Sequence, residues 1–398
     1  MFKSKIFKVI ASVLCFVLGV IVGGIGNIIY SAPDSYEIPA AVQANANIVA
    51  GEINVETVKN QDLSIHFLEL GNKYTGDCTL IKVGDTEMLI DAGSKASSIP
   101  TIKAYLDKYV DGALDYVVVT HAHEDHYAGF ATNENTDSLF DLYEVSNIID
   151  FGDGTNKTTS NKMYANYVRE RQQEIDDGNT NYARAIDYIN NIGELTQRFE
   201  LKAGSGVYVE MLYHKFLNKG NVAQTENDYS VCLQIVYEDK YYLFTGDLEA
   251  DGEESLVDEH TKSEGRNKGM LHEVEVYKAG HHGSKTSSTE TLMNIIKPKN
   301  VCVCCCAGSS EYTSKNENQF PTQEFINNVY AANPNAKIYV TTLCLDYKTN
   351  SFTSFNGNIV VYYSKTAPSI TIACSNNTTD LKDTDWFKTN RTLPEASA

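Results

Sequence analysis

Positive charge is what this 398-residue chain is short of: 33 lysines and arginines stand against 52 aspartates and glutamates, for a formal net charge of −19. Nonspecific nucleic-acid binding rests on basic surface that displaces counterions, so this balance argues against a general DNA-binding face and leaves room only for a local basic groove. The acidic body reads mainly as a solvated, soluble surface. Beyond one N-terminal stretch there is no long uncharged run, which excludes a multi-span channel. No internal repeat and no low-complexity block stands out. Histidine is scarce too, yet five of the nine fall in two short motifs, and that concentration is the most informative feature of the chain.

With 42% hydrophobic content the chain can bury a large core, and one main folded domain is expected rather than two. The N-terminus differs from the rest. Lys3, Lys5 and Lys8 precede an uncharged run from Val9 to Pro33, and an apolar helix of about 20 residues spans a bilayer. Lysines on that side alone place this end in the cytoplasm and the remainder outside. The organisation read from this is a cytoplasmic start (1–8), a transmembrane anchor or signal peptide (9–30), a linker (31–60), the main folded domain (61–375) and a tail (376–398). The expected location is the cell membrane, single-pass, with the main domain outside; secretion after signal cleavage is the alternative. Cys15 does not read as a lipidation site, because Leu14 precedes it where a small residue is needed.

The run His121-Ala122-His123-Glu124-Asp125-His126 follows the strand-like Tyr116 to Thr120. Imidazole and carboxylate together suit zinc or another divalent transition ion, and a tight turn at a strand end can aim alternate side chains at two ions. A second cluster, Gly280-His281-His282-Gly283-Ser284, follows the strand-like Val274 to Lys278, and Tyr241 to Thr245 delivers Gly246-Asp247 in the same way. Rigid strands fix ligand positions better than mobile loops do. Asp91 ends a fourth strand, Met88-Leu89-Ile90, and is better placed to orient a ligating imidazole than to ligate. Ser284 and Lys285, just past the histidine pair, are candidates to bind a phosphoryl group.

The order D-A-G, H-x-H-x-D-H, T-G-D, G-H-H-G-S resembles the metallo-β-lactamase superfamily, from about Leu63 to about Ala373. Within it the chain looks most like the extracytoplasmic metallo-hydrolase domain of DNA-internalisation competence proteins. That closer likeness rests on Gly76-Asp77-Cys78, on Asn227-Asp228-Tyr229-Ser230 before Thr245-Gly246-Asp247, and on Lys278-Ala279-Gly280-His281-His282-Gly283-Ser284-Lys285. The resemblance implies an αββα sandwich, here preceded by one transmembrane helix. It implies one or two divalent ions, zinc first and manganese as the alternative. One ion would be held by His121, His123 and a shared Asp247. The other would be held by Asp125, His126, Asp247 and one of His281 and His282.

Two departures stand out. Many relatives carry a further histidine where this chain reads Gln224-Thr225-Glu226-Asn227-Asp228, so Asp228, Asn227, Glu226 or water must complete the first site if it is filled. Phe320 replaces a histidine before Pro321, and whatever that histidine does is not transferable.

The chemistry follows from the ions. A bound divalent ion lowers the pKa of its water from about 16 toward about 7, and a second ion about 3.5–4 Å away clamps the attacking and leaving oxygens. The catalytic residues expected are Asp125, Asp247 and His282, with the carboxylates as proton acceptors. A phosphodiester, in nucleic acid or at the cell surface, is the preferred substrate class. Hydrolysis of a lactone, β-lactam or other acyl bond is the alternative enzyme, and a non-catalytic competence or surface accessory protein is the third reading. The partners expected are the substrate and, through the N-terminal helix, the membrane; no protein partner is inferable.

The cysteine row in Val301-Cys302-Val303-Cys304-Cys305-Cys306 alternates across a strand and so cannot form one tetrahedral site; it reads as small hydrophobes in a core strand. The remaining elements expected are a helix near 99–110, helices near 249–257 and 322–331, and a polar lid or wall over 130–206 with Tyr164, Tyr167, Val168 and Ile175 at helical spacing.

Overall fold

The computed structural model describes residues 46–131, 136–367 and 369–395. The described residues form seventeen strands in two sheets. The first holds β1 (Asn47–Ala50), β2 (Leu63–Phe67), β3 (Thr79–Val83), β4 (Thr86–Ile90), β5 (Ala113–Val119), β6 (Glu144–Asp150) and β7 (Asn181–Arg184). The second holds β8 (Arg198–Glu200), β9 (Val207–Leu212), β10 (Cys232–Tyr237), β11 (Lys240–Phe244), β12 (Val276–Lys278), β13 (Asn300–Ala307), β14 (Lys337–Asp346) and β15 (Ser351–Ser354). The chain then returns to the first sheet with β16 (Ile359–Tyr363) and β17 (Thr371–Cys374). The spatial orders are β1-β17-β16-β2-β3-β4-β5-β6-β7 and β15-β14-β13-β12-β11-β10-β9-β8.

The strands are apolar on both faces because each sheet is covered twice. Between the sheets, Ile65, Phe67, Ile90 and Val118 pack against Val209, Leu233, Phe244 and Cys302, with the Phe67 and Phe244 rings stacked at 6.1 Å. Outside the second sheet, Val301, Val303 and Val340 meet Leu256, Met293 and Phe325 of the helices Ala250–Thr261, Glu290–Ile296 and Gln323–Ala332. Ile102 and Leu106 of helix Ile99–Leu106 close the first sheet in the same way. This is the helix, sheet, sheet, helix order expected, and alternate side chains of one strand serve different layers. β13 shows it most plainly: Cys302 and Cys304 join the inter-sheet core while Val301, Val303 and Cys305 join the outer one. The eight described cysteines are free thiols.

Three expectations about organisation need revision. Residues 47–59, read as linker, form β1 and the helix Val55–Lys59, and β1 pairs in parallel with β17; such a partner, more than 300 residues away, leaves no local signal. The stretch 130–206 gives the first sheet its last two strands and the second its edge strand β8, in addition to the helix Lys162–Asp176. The tail folds as the helix Asp385–Asn390 and buries Arg391, whose guanidinium donates to the Pro321 and Gln319 carbonyls.

The expectation of a single-pass membrane location is also corrected. Among the described residues no helix is long and apolar enough to cross a membrane. A crossing needs about 20 apolar residues, whereas the helix Lys162–Asp176 has 15, largely polar ones. The segment 9–30 itself lies outside the described residues.

Parallel pairing decides where the motifs end up. β4, β5, β6 and β7 run parallel in one sheet, and β11, β12, β13 and β14 run parallel in the other. The C-terminal ends of each set therefore lie along one edge, and the turns that leave them share one rim of the sandwich.

On the far side of the first sheet, His66 is fully buried, bonded through Nδ1 to the Tyr105 hydroxyl (2.9 Å) and through Nε2 to Ser64 Oγ (2.9 Å). Burial, with the nearby Lys82 charge adding to it, pushes its pKa down to about 3. The folded state thus prefers the neutral ring. The stability this contributes is complete above about pH 6.5, the unfolded value, and is lost as pH falls toward 3. In urea unfolding between pH 6.5 and 5, wild type is expected to lose about 1.4 kcal/mol per pH unit more than His66→Gln. Parallel curves for the two proteins would show that this ring titrates normally.

Candidate metal centre

The H-x-H-x-D-H turn opens where β5 ends. The chain bends at His121 and is extended at His123, and a single helical turn, Glu124–Tyr127, then brings Asp125 and His126 round to the same side. The turn is held from below by backbone bonds from the Asp77 amide to the Asp125 carbonyl (3.1 Å) and from the Ala92 amide to the His126 carbonyl (2.7 Å). Gly93 is required there: a Cβ on it would lie 1.6 Å from the Asp125 carbonyl oxygen. Asp247 leaves β11, and the histidine pair leaves β12 with His281 at φ 45° and His282 at φ 54°. Two successive non-glycine residues in the left-handed region carry a conformational cost that only a tightly determined site sustains.

These turns converge on one oxygen. Asp247 Oδ2 lies 3.1 Å from His126 Nε2, 3.3 Å from His282 Nε2, 3.9 Å from His281 Nε2 and 4.0 Å from His121 Nε2. Asp125 Oδ2 lies 3.4 Å from His282 Nε2, and His123 touches His121 across 3.0 Å. The rear nitrogens are engaged elsewhere. His126 Nδ1 meets Asp91 Oδ2 at 2.7 Å, and His282 Nδ1 meets the Cys304 carbonyl at 3.0 Å and Asp77 Oδ1 at 3.2 Å. Asp91 is itself fixed by the Thr120 amide (2.8 Å) and hydroxyl (2.7 Å). It thus stands behind the His126 ring, at the nitrogen opposite the one that faces Asp247.

Charge shows what the cluster asks for. Burial alone would raise the Asp247 pKa, but the His126, His282 and His281 charges hold it well below the usual carboxylate range. Burial would lower His126 and His282, and the facing carboxylates raise both instead. A sealed group of carboxylates is gathering cations, protons if nothing better is offered. The donor set fits a divalent ion: His126 Nε2, His282 Nε2 and Asp247 Oδ1 are buried without a hydrogen-bond partner among the described residues, while the rear nitrogens are satisfied.

Two residues to which the sequence assigned no role belong to this centre. Asp77 lies within 4.8 Å of His126, Asp247 and His282 in a grouping able to hold an ion. It faces the rear of both rings, however, and pairs with Lys278 Nζ, so it positions His282 and brings its own cation. Lys278 also reaches the Gly246 carbonyl (3.2 Å) and Asp247 Oδ1 (3.6 Å); burial would lower its pKa, and Asp77 and Asp247 hold it far higher. The signals were present as an aspartate inside Gly76-Asp77-Cys78 and a lysine ending a fully buried strand, but neither says what it meets.

One expected ligand is not brought in. Asp228 Oδ1 accepts from the Glu249 (3.1 Å) and Gly252 (3.2 Å) amides at the start of helix Ala250–Thr261, because orphan amides at a helix start compete for a nearby carboxylate. Asn227 donates to Glu249 Oε1 (3.0 Å), and Glu226 Oε2 accepts from the Asn156 amide (2.9 Å).

The centre opens into a cleft of about 840 Å³ whose lining includes His123, Asp125, Asp247 and His281. Ser284, Lys285 and Phe320 also line it, and so do Lys157 from the loop before helix Lys162–Asp176 and Asn161 and Lys162 from its start. His282 is sealed beneath the floor. Ser284 Oγ bonds Thr286 Oγ1 at 3.0 Å, and Lys285 is exposed at the rim.

Residues 71–132 match the family model of the metallo-beta-lactamase superfamily. The chain thus matches that model over the span holding Asp77, Asp91 and the His121 to His126 turn. It is 26% identical over 276 residues to the Competence protein ComA of Neisseria gonorrhoeae; the match takes in 69% of this chain and 31% of that protein, so the chain spans about a third of this relative. Among solved structures it is similar to the metallo-beta-lactamase fold protein YhfI from Bacillus subtilis, at 11% identity and a TM-score of 0.40 over 70% of this chain and 95% of that one. A probable metal-dependent hydrolase from Staphylococcus aureus matches at 16% identity and a TM-score of 0.26, over 47% of this chain and 73% of that one.

Asp91 accepts the His126 Nδ1 proton and so leaves the Nε2 lone pair for a cation. Asp91→Asn would present an amide N–H to Nδ1 and move the proton to Nε2. We expect metal affinity, measured by competition with a chelator, to fall about 10–100-fold while the fold survives. Unchanged affinity would remove Asp91 from this role.

Proposed function

We propose that this chain is a metal-dependent hydrolase of phosphodiesters. The observation that carries the reading is the meeting of four imidazole nitrogens on Asp247 Oδ2 at the floor of a cleft whose rim holds uncommitted lysines. Lys157, Lys162 and Lys285 make no ion pair among the described residues, whereas Lys95, across the cleft, is paired with Glu124 at 3.4 Å. In a chain so acidic, free cations gathered at one cleft favour an anionic substrate. A divalent cation bound at Asp247 would bring the pKa of water toward neutrality, so that no serine or cysteine nucleophile is needed.

The chain's own residues supply the rest. Asp125 lines the cleft beside Asp247 and is the carboxylate placed to take a proton from the attacking water. The Tyr312 hydroxyl donates to Asp125 Oδ2 at 3.3 Å, orienting that carboxylate. Lys157, Lys162 and Lys285 would hold the nonbridging oxygens, with Ser284 beneath them. Tyr312 and Phe320, with ring centroids 5.5 Å apart, form an apolar flank for whatever the phosphate carries. His282, buried under the floor, holds the centre together and does not touch substrate. Given the likeness to competence proteins, single-stranded nucleic acid is the first natural polymer to test.

Metal-dependent turnover of bis-p-nitrophenyl phosphate is expected, reduced by about 100–1,000-fold in Asp247→Ala, the scale on which loss of one preorganised electrostatic group acts. Lys285→Glu should raise KM several-fold with a smaller change in kcat. Nitrocefin turnover in place of phosphodiester turnover would transfer the assignment to acyl hydrolysis. Inactivity on both with metal bound would make this a binding protein.

A further inference from the structure

One wall of the cleft is a single segment, residues 308–322, between β13 and the helix Gln323–Ala332; it brings Glu311, Tyr312, Thr313, Asn318 and Phe320 to the lining. The Phe320 ring stands over the histidine pair, its centroid 5.8 Å from that of His281 and 6.1 Å from that of His282, with Tyr312 at 5.5 Å. The segment is closed on itself by the Gly308 amide, which donates to the Phe320 carbonyl (2.8 Å), and is tied to the turn below by the Thr322 amide, which donates to the Gly283 carbonyl (2.8 Å).

Behind this wall lie the helix Asp385–Asn390 and the residues that follow it. Arg391, only 4% exposed, donates through Nε to the Pro321 carbonyl (2.8 Å) and through a terminal nitrogen to the Gln319 carbonyl (2.6 Å), so it grips the backbone on either side of Phe320. Its other terminal nitrogen donates to the Asn390 carbonyl (2.7 Å), and the Trp386 ring lies 4.9 Å from the guanidinium. Among the described residues no carboxylate pairs with it. Trp386 also abuts the start of the wall, where a Cβ on Gly308 would lie 2.4 Å from its Nε1. Past the end of the wall, Gln323 and Thr392 bond each other reciprocally at 2.8 and 2.9 Å.

Stability of the tail does not call for this arrangement. An apolar side chain, like Phe387 in the outer core, anchors a tail without desolvating a charge. What an apolar side chain lacks is the rigid fork of donors that fixes two carbonyls at once. We propose that Arg391 is a positioning residue for substrate: by holding the Gln319 and Pro321 carbonyls it fixes Phe320, and with it Tyr312, as the surface on which one ester arm of the phosphodiester rests above the metal centre. The inference rests on the phosphodiesterase reading and deepens it, because it extends the substrate machinery to a residue that never touches substrate.

The test is steady-state kinetics of the zinc-loaded full chain on bis-p-nitrophenyl phosphate, whose aryl arms would lie on this wall. In Arg391→Gln, KM is expected to rise about tenfold with kcat within about twofold, the pattern of binding lost equally from ground and transition states. Inhibition by inorganic phosphate, which carries no arm, should keep its wild-type strength, and so should zinc affinity measured by chelator competition. Phe320→Ala should raise KM to a similar degree, and the double variant should go no further, since both changes remove one contact. An unmoved KM in Arg391→Gln would overturn the proposal. So would KM increases that multiply in the double variant, or a parallel loss of phosphate inhibition or of zinc, either of which would mark Arg391 as a general support of the fold. Wild type without phosphodiester turnover would overturn the hydrolase reading and this inference with it, whereas wild-type turnover that is indifferent to Arg391 overturns this inference alone. Should Arg391→Gln lose its circular dichroism signal, Arg391→Lys, which keeps the charge but not the fork, is read in its place against the same outcomes.

Discussion

Burial of negative charge at the rim of the sandwich is the constraint on which the rest of this structure depends. Asp77, Asp91 and Asp247 are all sealed from solvent, with Asp125 beside them at the cleft, and within their reach Lys278 is the one fixed cation among the described residues. An uncompensated buried ion costs several kcal/mol even after relaxation. Such a cluster persists only because it is completed by cations, and the imidazoles arranged round Asp247 Oδ2 set where those cations go. The left-handed turn at the histidine pair and the Cβ-free approach of Gly93 to the Asp125 carbonyl are local costs of that arrangement.

The sandwich meets these costs with rigidity. The His121 to His126 turn, Asp247 and the histidine pair each follow a strand whose last residues are buried, and the two parallel blocks end along the same rim, so motifs more than 150 residues apart in the chain arrive within 4 Å of one carboxylate oxygen. Behind the rings stand groups whose function is orientation: Asp91 behind His126, the Cys304 carbonyl and Asp77 behind His282, Glu249 behind His281. On the proposed reading, an acidic surface that repels polyanions in general would make the cleft lysines that pair with no carboxylate among the described residues a selective point of attachment.

Much of this was legible beforehand because the informative residues cluster. The turn at His121 to His126 carries its ligands within six positions, and the apolar runs before it and before Asp247 read as strands. The alternation of cysteine and valine in β13 likewise described a core strand, and the structure divides those side chains between two apolar layers. Where the reading went wrong, the deciding partner was distant. Asp228 looked like a ligand because it neighbours the gap in the histidine pattern, yet the free amides at the start of helix Ala250–Thr261 claim it. Residues 47–59 looked like linker because the strand that pairs with β1 lies at the other end of the domain.

What the sequence determined by itself was the inventory: which carboxylates and imidazoles end buried strands, in what order, and hence the class of chemistry they support. Tertiary structure alone decided their assignment. Whether Asp77 ligates or orients depends on Lys278 being beside it, and whether His281 and His282 act together or apart depends on two backbone dihedrals and on what stands behind each ring. Spacing along a chain constrains local geometry within a turn or a strand, but the charge that meets a side chain across a cleft comes from elsewhere in the sequence, and only the packing of the two sheets brings it there.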